Sequence, residues 1–86
     1  MKKVWHDGAW DEYEYWQTQD RKTLKKINSL LKDIERNGEL NGTGDPEALK
    51  GNLSGLYSRR IDKENRLVYR IADGVLDIIS CKGHYE

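Results

Sequence analysis

The chain has 86 residues, with fifteen Lys or Arg balanced by fifteen Asp or Glu, so its formal net charge is zero. This neutrality argues against a free-standing, charge-driven nucleic-acid binder, because such binding depends on an excess of basic groups facing the phosphates. The length fits one small domain over residues 1–86, near the lower limit for an independent core.

The N-terminal segment predicts a short strand followed by a helix. Lys3 to His6 alternate as in a strand, and Asp7-Gly8 interrupt the pattern. Aromatic residues then recur at helical spacing at Trp10, Tyr13 and Trp16, which predicts an amphipathic helix from Trp10 to about Gln19. We interpret this aromatic stripe as core rather than as a ligand site.

A second helix is predicted to begin after Asp20, whose side chain can accept hydrogen bonds from the free amides of the first turn. Its apolar face is marked at helical spacing by Leu24, Ile27, Leu31 and Ile34. The lysines of this helix lie largely elsewhere, and a solvated surface explains them better than a nucleic-acid contact. Arg36 to Gly38 predict the helix end, and residues 37–46 form a loop by composition.

The C-terminal half predicts strands at Leu56 to Ile61, Arg66 to Ala72 and Val75 to about Tyr85. Asp73-Gly74 between the last two is a strong hairpin signal. A two-residue turn there sets Arg70 opposite Asp77 as a cross-strand ion pair and gives the sheet one apolar face for the helices. The single cysteine, Cys81, is predicted to be a buried thiol; with no signal-like segment, the chain is expected to be cytoplasmic.

Two features of this half bear on function. Residues 50–70 include six basic residues and only two acidic ones, so the neutral chain carries a local basic patch. The six are Lys50, Arg59, Arg60, Lys63, Arg66 and Arg70. Strict alternation would put Arg66 and His84 on opposite faces of the sheet, whereas a one-residue slip would put them on the same face. We expect a bulge at Gly83 to make that change.

Several stretches of the chain closely resemble the YoeB toxins of the RelE superfamily. The matching stretches are Pro46 to Lys50, Asn52 to Ile61, Asn65 to Tyr69, His84-Tyr85 and, in the N-terminal half, Trp5, Trp10-Asp11, Tyr13 to Gln17 and Asp20 to Asp33. The resemblance covers nearly the whole chain. It implies an α+β fold with two N-terminal helices packed on one face of a mainly antiparallel β-sheet, which agrees with the elements predicted above.

The resemblance also implies a function and a set of site residues. The function is an endoribonuclease that cleaves mRNA in the ribosomal A site without a cofactor and is neutralised by a YefM-like antitoxin, with a homodimer as a possible assembly. Operator DNA would be bound through the antitoxin complex, and no membrane partner is expected. The implied site comprises Glu47, Lys50, Arg60, Arg66, His84 and Tyr85.

These residue types suit RNA cleavage through attack by the 2′-hydroxyl. That reaction needs a base for the hydroxyl proton, an acid for the leaving 5′-oxygen and positive charge for the phosphate. Glu47 is the candidate base and His84 the candidate acid. Arg60, Arg66 and Lys50 would hold the phosphate, while Tyr85 would stack on a base or help to place His84.

Other interpretations stay open at this stage. Arg59 fits either a further site residue or a surface or ion-paired arginine. Two histidines and one cysteine do not make a metal-ligand cluster. The competing functions are a catalytically weak A-site blocker, an antitoxin-partner corepressor and a ParE-like gyrase inhibitor. The last would not need Glu47, His84 and Tyr85 together.

Overall fold

The computed structural model describes residues 1–84, which form two α-helices and a five-stranded sheet. The helices are α1 (Asp7–Gln19) and α2 (Arg21–Asn37). The strands are β1 (Lys2–Trp5), β2 (Glu47–Ala48), β3 (Tyr57–Arg60), β4 (Arg66–Ala72) and β5 (Val75–Ser80), and a 3-10 helix spans Gly51–Leu53. The predicted α+β class is confirmed.

The sheet has the order β1-β5-β4-β3-β2. The neighbours from β2 to β5 pair antiparallel, whereas β1 pairs parallel to β5. The chain between β1 and β5 contains both helices and the other three strands, so it is long enough for a parallel pairing, which a short turn cannot provide. The first strand therefore closes one edge of the sheet, and the two-residue β2 lies at the other.

The predicted start and end of α2 are confirmed. The Asp20 side chain accepts hydrogen bonds from the backbone amides of Lys22 and Thr23, both at 3.1 Å. The Thr23 amide is the main reason that the pKa of Asp20 lies below its ordinary value. Gly38 ends the helix at a φ of 87°, which glycine adopts without the strain that a side chain would add.

The core lies between the helices and one face of the sheet. Ile27, Leu30 and Ile34 of α2 are completely buried, as are Leu76 and Ile78 of β5. The predicted aromatic stripe on α1 is buried unevenly, since Trp16 is 8% exposed and Trp10 is 43% exposed. The aromatic residues near the N-terminus also contact each other, with Trp5 and Tyr13 ring centroids 4.5 Å apart.

The hairpin after Ala72 has the predicted register, with Arg70 opposite Asp77. Arg70 Nε and Asp77 Oδ2 are 2.9 Å apart, which confirms the predicted ion pair. The bulge prediction was wrong in position. The register shifts by one residue between Tyr69, opposite Ile78, and the preceding Val68, opposite Ser80, so the extra residue is Ile79 and not Gly83.

Several boundaries differ from the predicted ones. Helix α1 begins at Asp7 rather than Trp10, because Gly8 is accommodated in its first turn. Strand β5 ends at Ser80, well before the predicted end at Tyr85, which lies outside the described residues. Strand β2 and the 3-10 helix were not predicted, since two or three residues carry no readable periodicity. None of the helices in residues 1–84 is long and apolar enough to cross a membrane.

Candidate functional site

Three predicted site residues, Glu47, Arg60 and Arg66, lie on the sheet face opposite the helices. Glu47 of β2 pairs with Ser58 of β3, and Arg60 of β3 pairs with Arg66 of β4. Paired residues point to the same face of a sheet, and alternation makes Ser58 and Arg60 share it. Arg59, between them, points to the helices instead. We call the face that carries Glu47, Ser58, Arg60 and Arg66 the open face because the helices pack on the other one, although Ser58 itself is completely buried.

Glu47 and Arg66 form an ion pair across the open face. Arg66 Nη1 and Glu47 Oε1 are 3.8 Å apart, although their strands are separated by β3. The Arg66 side chain is 16% exposed and the Glu47 side chain is 52% exposed. A carboxylate and a guanidinium thus lie close together at the surface, where a substrate phosphate and an adjacent hydroxyl could reach both.

Lys50 follows Glu47 by three residues in the sequence, at the start of the next turn. It immediately precedes the 3-10 helix, and its carbonyl oxygen accepts from the Leu53 amide at 3.2 Å. The Leu49 amide donates to the Leu56 carbonyl oxygen at 2.9 Å, which closes the segment back onto the beginning of β3. The Lys50 side chain is exposed, so its charge is available to solvent and to ligands.

The chain after β5 is held by contacts from two elements, α1 and β4. Trp16 Nε1 of α1 donates to the Cys81 carbonyl oxygen at 2.9 Å, and the Glu12 carboxylate accepts from the Cys81 amide at 2.8 Å. Further along, the Arg66 amide donates to the Gly83 carbonyl oxygen at 3.0 Å. These contacts return the chain to the start of β4, so that His84 follows directly after a residue bonded to Arg66.

His84 is exposed, and its ring contacts the turn between β3 and β4. Its Nε2 lies 3.1 Å from the Lys63 carbonyl oxygen. Because a carbonyl oxygen can only accept, a hydrogen bond here requires a proton on Nε2. The contact therefore identifies Nε2 as a ring nitrogen that carries a proton.

Arg59 is buried and ion-paired, so a surface position for it is excluded. Among the described residues its guanidinium donates to Tyr69 Oη at 3.0 Å, to the Asp33 carboxylate at 2.5 Å and to three loop carbonyl oxygens at 2.7 to 2.8 Å. Those carbonyls belong to Gly38, Asn41 and Thr43. The side chain is completely buried on the helix side of the sheet, away from the open face. Its role here is to hold the loop between α2 and β2.

Asp33 completes this loop anchor. Its carboxylate accepts from the Thr43 amide at 2.9 Å as well as from Arg59. The Thr43 amide, together with the Arg59 guanidinium, holds the pKa of Asp33 below its ordinary value, although partial burial acts in the opposite direction. At the end of the same loop, the Arg60 amide donates to the Gly44 carbonyl oxygen at 2.6 Å, three residues before Glu47.

The structure thus brings several of the predicted site residues to one part of the molecule. It separates Arg59 from them, on the helix side of the sheet. Glu47, Arg60 and Arg66 share the open face, and the backbone of the His84 segment joins the start of β4. Tyr85 lies outside the described residues. Within residues 1–84, we find no group of three or more His, Cys, Asp or Glu side chains arranged to hold a metal ion.

Cys81 has the buried position that the sequence predicted. Its side chain is completely buried, and its Sγ lies 3.6 Å from the Ala9 carbonyl oxygen. Burial raises the pKa of the thiol to about 12, and the nearby Glu12 carboxylate contributes in the same direction. A thiol held neutral in this way is a packing group rather than a nucleophile.

Comparison with known proteins gives a consistent assignment. Residues 5–85 match the family model for YoeB-like toxins of bacterial type II toxin–antitoxin systems. Toxin YoeB of Escherichia coli K12 is 51% identical over 85 residues, covering 99% of this chain and 100% of that protein. A YoeB dimer from Staphylococcus aureus has a TM-score of 0.93 at 52% identity, and a YoeB-YefM complex from the same organism has 0.93 at 50%. Both matches cover 99% of this chain and 98% of the other. The chain therefore belongs to the family of YoeB-like toxins of bacterial type II toxin–antitoxin systems.

Proposed function

We propose that the protein is an endoribonuclease that cleaves mRNA in the ribosomal A site by attack of the 2′-hydroxyl on the adjacent phosphate. The observation that carries the proposal is the pairing of Glu47 with Arg66 on the open face, at 3.8 Å. This pairing sets a proton acceptor next to a bidentate phosphate ligand. The geometry suits a reaction in which a proton is removed as the phosphate gains negative charge.

In this proposal, Glu47 takes the proton of the 2′-hydroxyl. Its half-exposed carboxylate is accessible to a substrate and lies 3.8 Å from the Arg66 guanidinium. When RNA enters, Arg66 turns from the carboxylate to the phosphate, or bridges both groups. Proton removal of this kind contributes about 10²- to 10⁴-fold to a rate.

His84 gives a proton to the leaving 5′-oxygen. Its Nε2 contact with the Lys63 carbonyl oxygen holds the ring in one orientation, with a proton on that nitrogen. Attack by the 2′-hydroxyl forms a bond from its oxygen to phosphorus and breaks the bond to the 5′-oxygen. The products are a 2′,3′-cyclic phosphate on one fragment and a 5′-hydroxyl on the other.

The remaining basic groups stabilise the phosphate during this exchange. Arg60 lies opposite Arg66 in the β3–β4 pairing, so two guanidinium groups flank the same region of the open face. Lys50 adds a point charge from the neighbouring turn. Tyr85, directly after His84 in the sequence, is assigned to base stacking or to the placement of His84.

The neutral chain is consistent with a substrate that a larger particle presents. A formal charge of zero gives little attraction for free RNA, whereas a ribosome delivers the mRNA to the site. The partners in this proposal are therefore the ribosome and its mRNA in the cytoplasm. The related S. aureus protein forms a complex with YefM and also a dimer, and we extend a YefM-like antitoxin and a homodimer to this chain.

The test uses purified ribosomes stalled on a defined mRNA, followed by mapping of the new RNA ends. We expect cleavage within the A-site codon and a 2′,3′-cyclic phosphate on the upstream fragment. The Glu47→Gln variant keeps the side-chain shape but removes the base, so its cleavage rate should fall at least about 100-fold. Glu14→Gln, an exposed change on α1, is the matched control and should retain the parental rate.

Other outcomes separate the alternatives. Equal cleavage by Glu47→Gln, His84→Ala and the parent contradicts the acid–base assignment. Arrest of translation without new RNA ends, persisting in both variants, indicates a toxin that blocks the A site without cutting. DNA damage signalling with intact mRNA indicates a ParE-like action on gyrase.

A further inference from the structure

The turn between β3 and β4 is ordered by one aspartate. Asp62 Oδ1 accepts hydrogen bonds from the backbone amides of Glu64 and Asn65, both at 2.8 Å. The same carboxylate accepts from the Asn65 side-chain amide, with Nδ2 at 3.0 Å from Oδ1 and 3.1 Å from Oδ2. Because Nδ2 must face a carboxylate, the opposite end of the Asn65 amide, Oδ1, points away from Asp62.

Asn65 Oδ1 points to the chain that leads to His84. It accepts a hydrogen bond from the Gly83 amide at 2.8 Å. The carbonyl oxygen of Gly83 accepts from the Arg66 amide at 3.0 Å. Both backbone polar groups of the residue before His84 are thus bound by two adjacent residues, Asn65 and Arg66, at the start of β4.

These contacts matter because the regular sheet has already ended. Strand β5 stops at Ser80, so ladder hydrogen bonds no longer fix the path of residues 81–84. Gly83 has a φ of 80°, a conformation that glycine enters and leaves easily. A short segment with this freedom needs a specific contact to hold one geometry, and the Asn65 side chain provides one.

We propose that Asn65 is a positioning residue that fixes the location of His84 relative to Arg66. Asn65 acts through the Gly83 amide. By binding Asn65 Nδ2, Asp62 leaves Asn65 Oδ1 to face that amide. The inference rests on the function proposed above for His84. It assigns a task to a turn residue that the sequence resemblance did not include among the site residues.

The contact itself can be tested on the free protein, without ribosomes. Hydrogen exchange of the Gly83 amide should be faster in Asn65→Ala than in the parent, because the amide loses its acceptor. Glu64→Ala is the matched control, since Glu64 contributes its backbone amide to the same turn. Unchanged Gly83 exchange in Asn65→Ala overturns the inference directly.

The catalytic consequence can be tested by single-turnover cleavage on stalled ribosomes. A displacement of about 1 Å in a reacting group can cost about 100-fold in rate. We therefore expect Asn65→Ala to cleave about 10- to 100-fold more slowly, with unchanged ribosome affinity and with Glu64→Ala at the parental rate. In the His84→Ala background, Asn65→Ala should cause no further loss, because residues that act through one group are not additive.

A charge-preserving exchange provides a rescue. Asn65→Asp alone keeps an acceptor for the Gly83 amide but sets a second carboxylate against Asp62, so its rate should fall. The double variant Asp62→Asn with Asn65→Asp restores an amide facing a carboxylate in this pair. Its cleavage rate should return towards that of the parent, and failure to exceed the Asn65→Asp rate contradicts the role given to Asp62.

The two proposals fail in different ways. If His84→Ala is impaired and Asn65→Ala lowers the rate further by its full factor in that background, Asn65 does not act through His84. The positioning inference is then wrong, while the proposed function stands. If His84→Ala cleaves like the parent, the proposed acid is wrong, and the catalytic part of the inference is overturned with it.

Discussion

Alternation in β3 sends the adjacent residues Arg59 and Arg60 to opposite faces of the sheet. Arg59 is completely buried, whereas Arg60 is exposed. We expect Arg59→Lys to reduce stability strongly and Arg60→Lys to leave it almost unchanged. Each substitution keeps the charge, so the comparison isolates the guanidinium geometry and its surroundings.

The expected magnitude follows from the hydrogen bonds of Arg59. In the described structure its guanidinium makes five of them. A lysine ammonium has three donors, so at least two acceptors lose their partner. Each unsatisfied buried acceptor costs about 1–3 kcal/mol. Several of these acceptors are only partly buried, so we take the lower end, and the loss is about 2 kcal/mol or more.

Thermal and urea unfolding of the two variants measure this difference. A loss of about 2 kcal/mol lowers the Tm of a domain of this size by roughly 8–16 °C. Arg60→Lys should stay within about 0.5 kcal/mol of the parent, as surface changes usually do. The same Arg60→Lys protein should cleave RNA more slowly, since a lysine cannot form the paired contacts with a phosphate.

An Arg59→Lys variant as stable as the parent would contradict this prediction, as would an Arg60→Lys variant destabilised as much as Arg59→Lys. The first result would mean that the loop of residues 38–44 does not depend on the guanidinium. The second would mean that the two side chains are not divided between the faces of the sheet.

Further predictions concern the core, acid stability and the thiol. Ile34→Ala should cost about 2–5 kcal/mol in urea unfolding, because the side chain is completely buried. Asp20 and Asp33 have pKa values lowered from 3.8 in the folded protein. Their ionised forms therefore add to the free energy of unfolding above about pH 4, and this contribution is lost as the pH falls through the folded-state values. The urea midpoint should decline below that pH, and less steeply in Asp20→Asn, whose side chain still caps the helix. Cys81 should react with a thiol reagent at pH 8 no faster than the protein unfolds, as mass spectrometry can follow.

The sequence predicted those parts of the fold that depend on local chemistry. Asp20 caps α2 as expected, because an aspartate before an apolar periodic segment satisfies free amides without help from the rest of the chain. The Asp73-Gly74 turn similarly sets the register of Arg70 against Asp77. Both signals lie within a few residues of the feature that they determine.

Features that depend on distant contacts were not predictable in the same way. The extra residue at Ile79 changes the register of β5, yet no glycine or proline marks it. The parallel pairing of β1 joins the first strand of the chain to the last, and no local pattern marks it. For Arg59 the sequence left two interpretations open, because its burial is decided by Asp33 and by loop carbonyls 16 to 26 residues away.

The candidate site likewise combines features that the sequence predicted with features that depend on distant contacts. The resemblance supplied the residues of the implied site, and the strand pairings then gave the open face on which Glu47, Arg60 and Arg66 meet. The contribution of Asn65 had no local signal of function, since an Asp62…Asn65 turn is common in hairpins of any protein. Its contact with Gly83 emerges only when the end of the chain folds back.

The most direct test of the account is to map mRNA 5′ ends on translating ribosomes after brief induction of the parent and of Glu47→Gln, with Glu14→Gln as the control. We expect new ends within A-site codons for the parent and the control, and at least about a 100-fold decrease in these ends for Glu47→Gln. Translation arrest with intact mRNA in all three would contradict it.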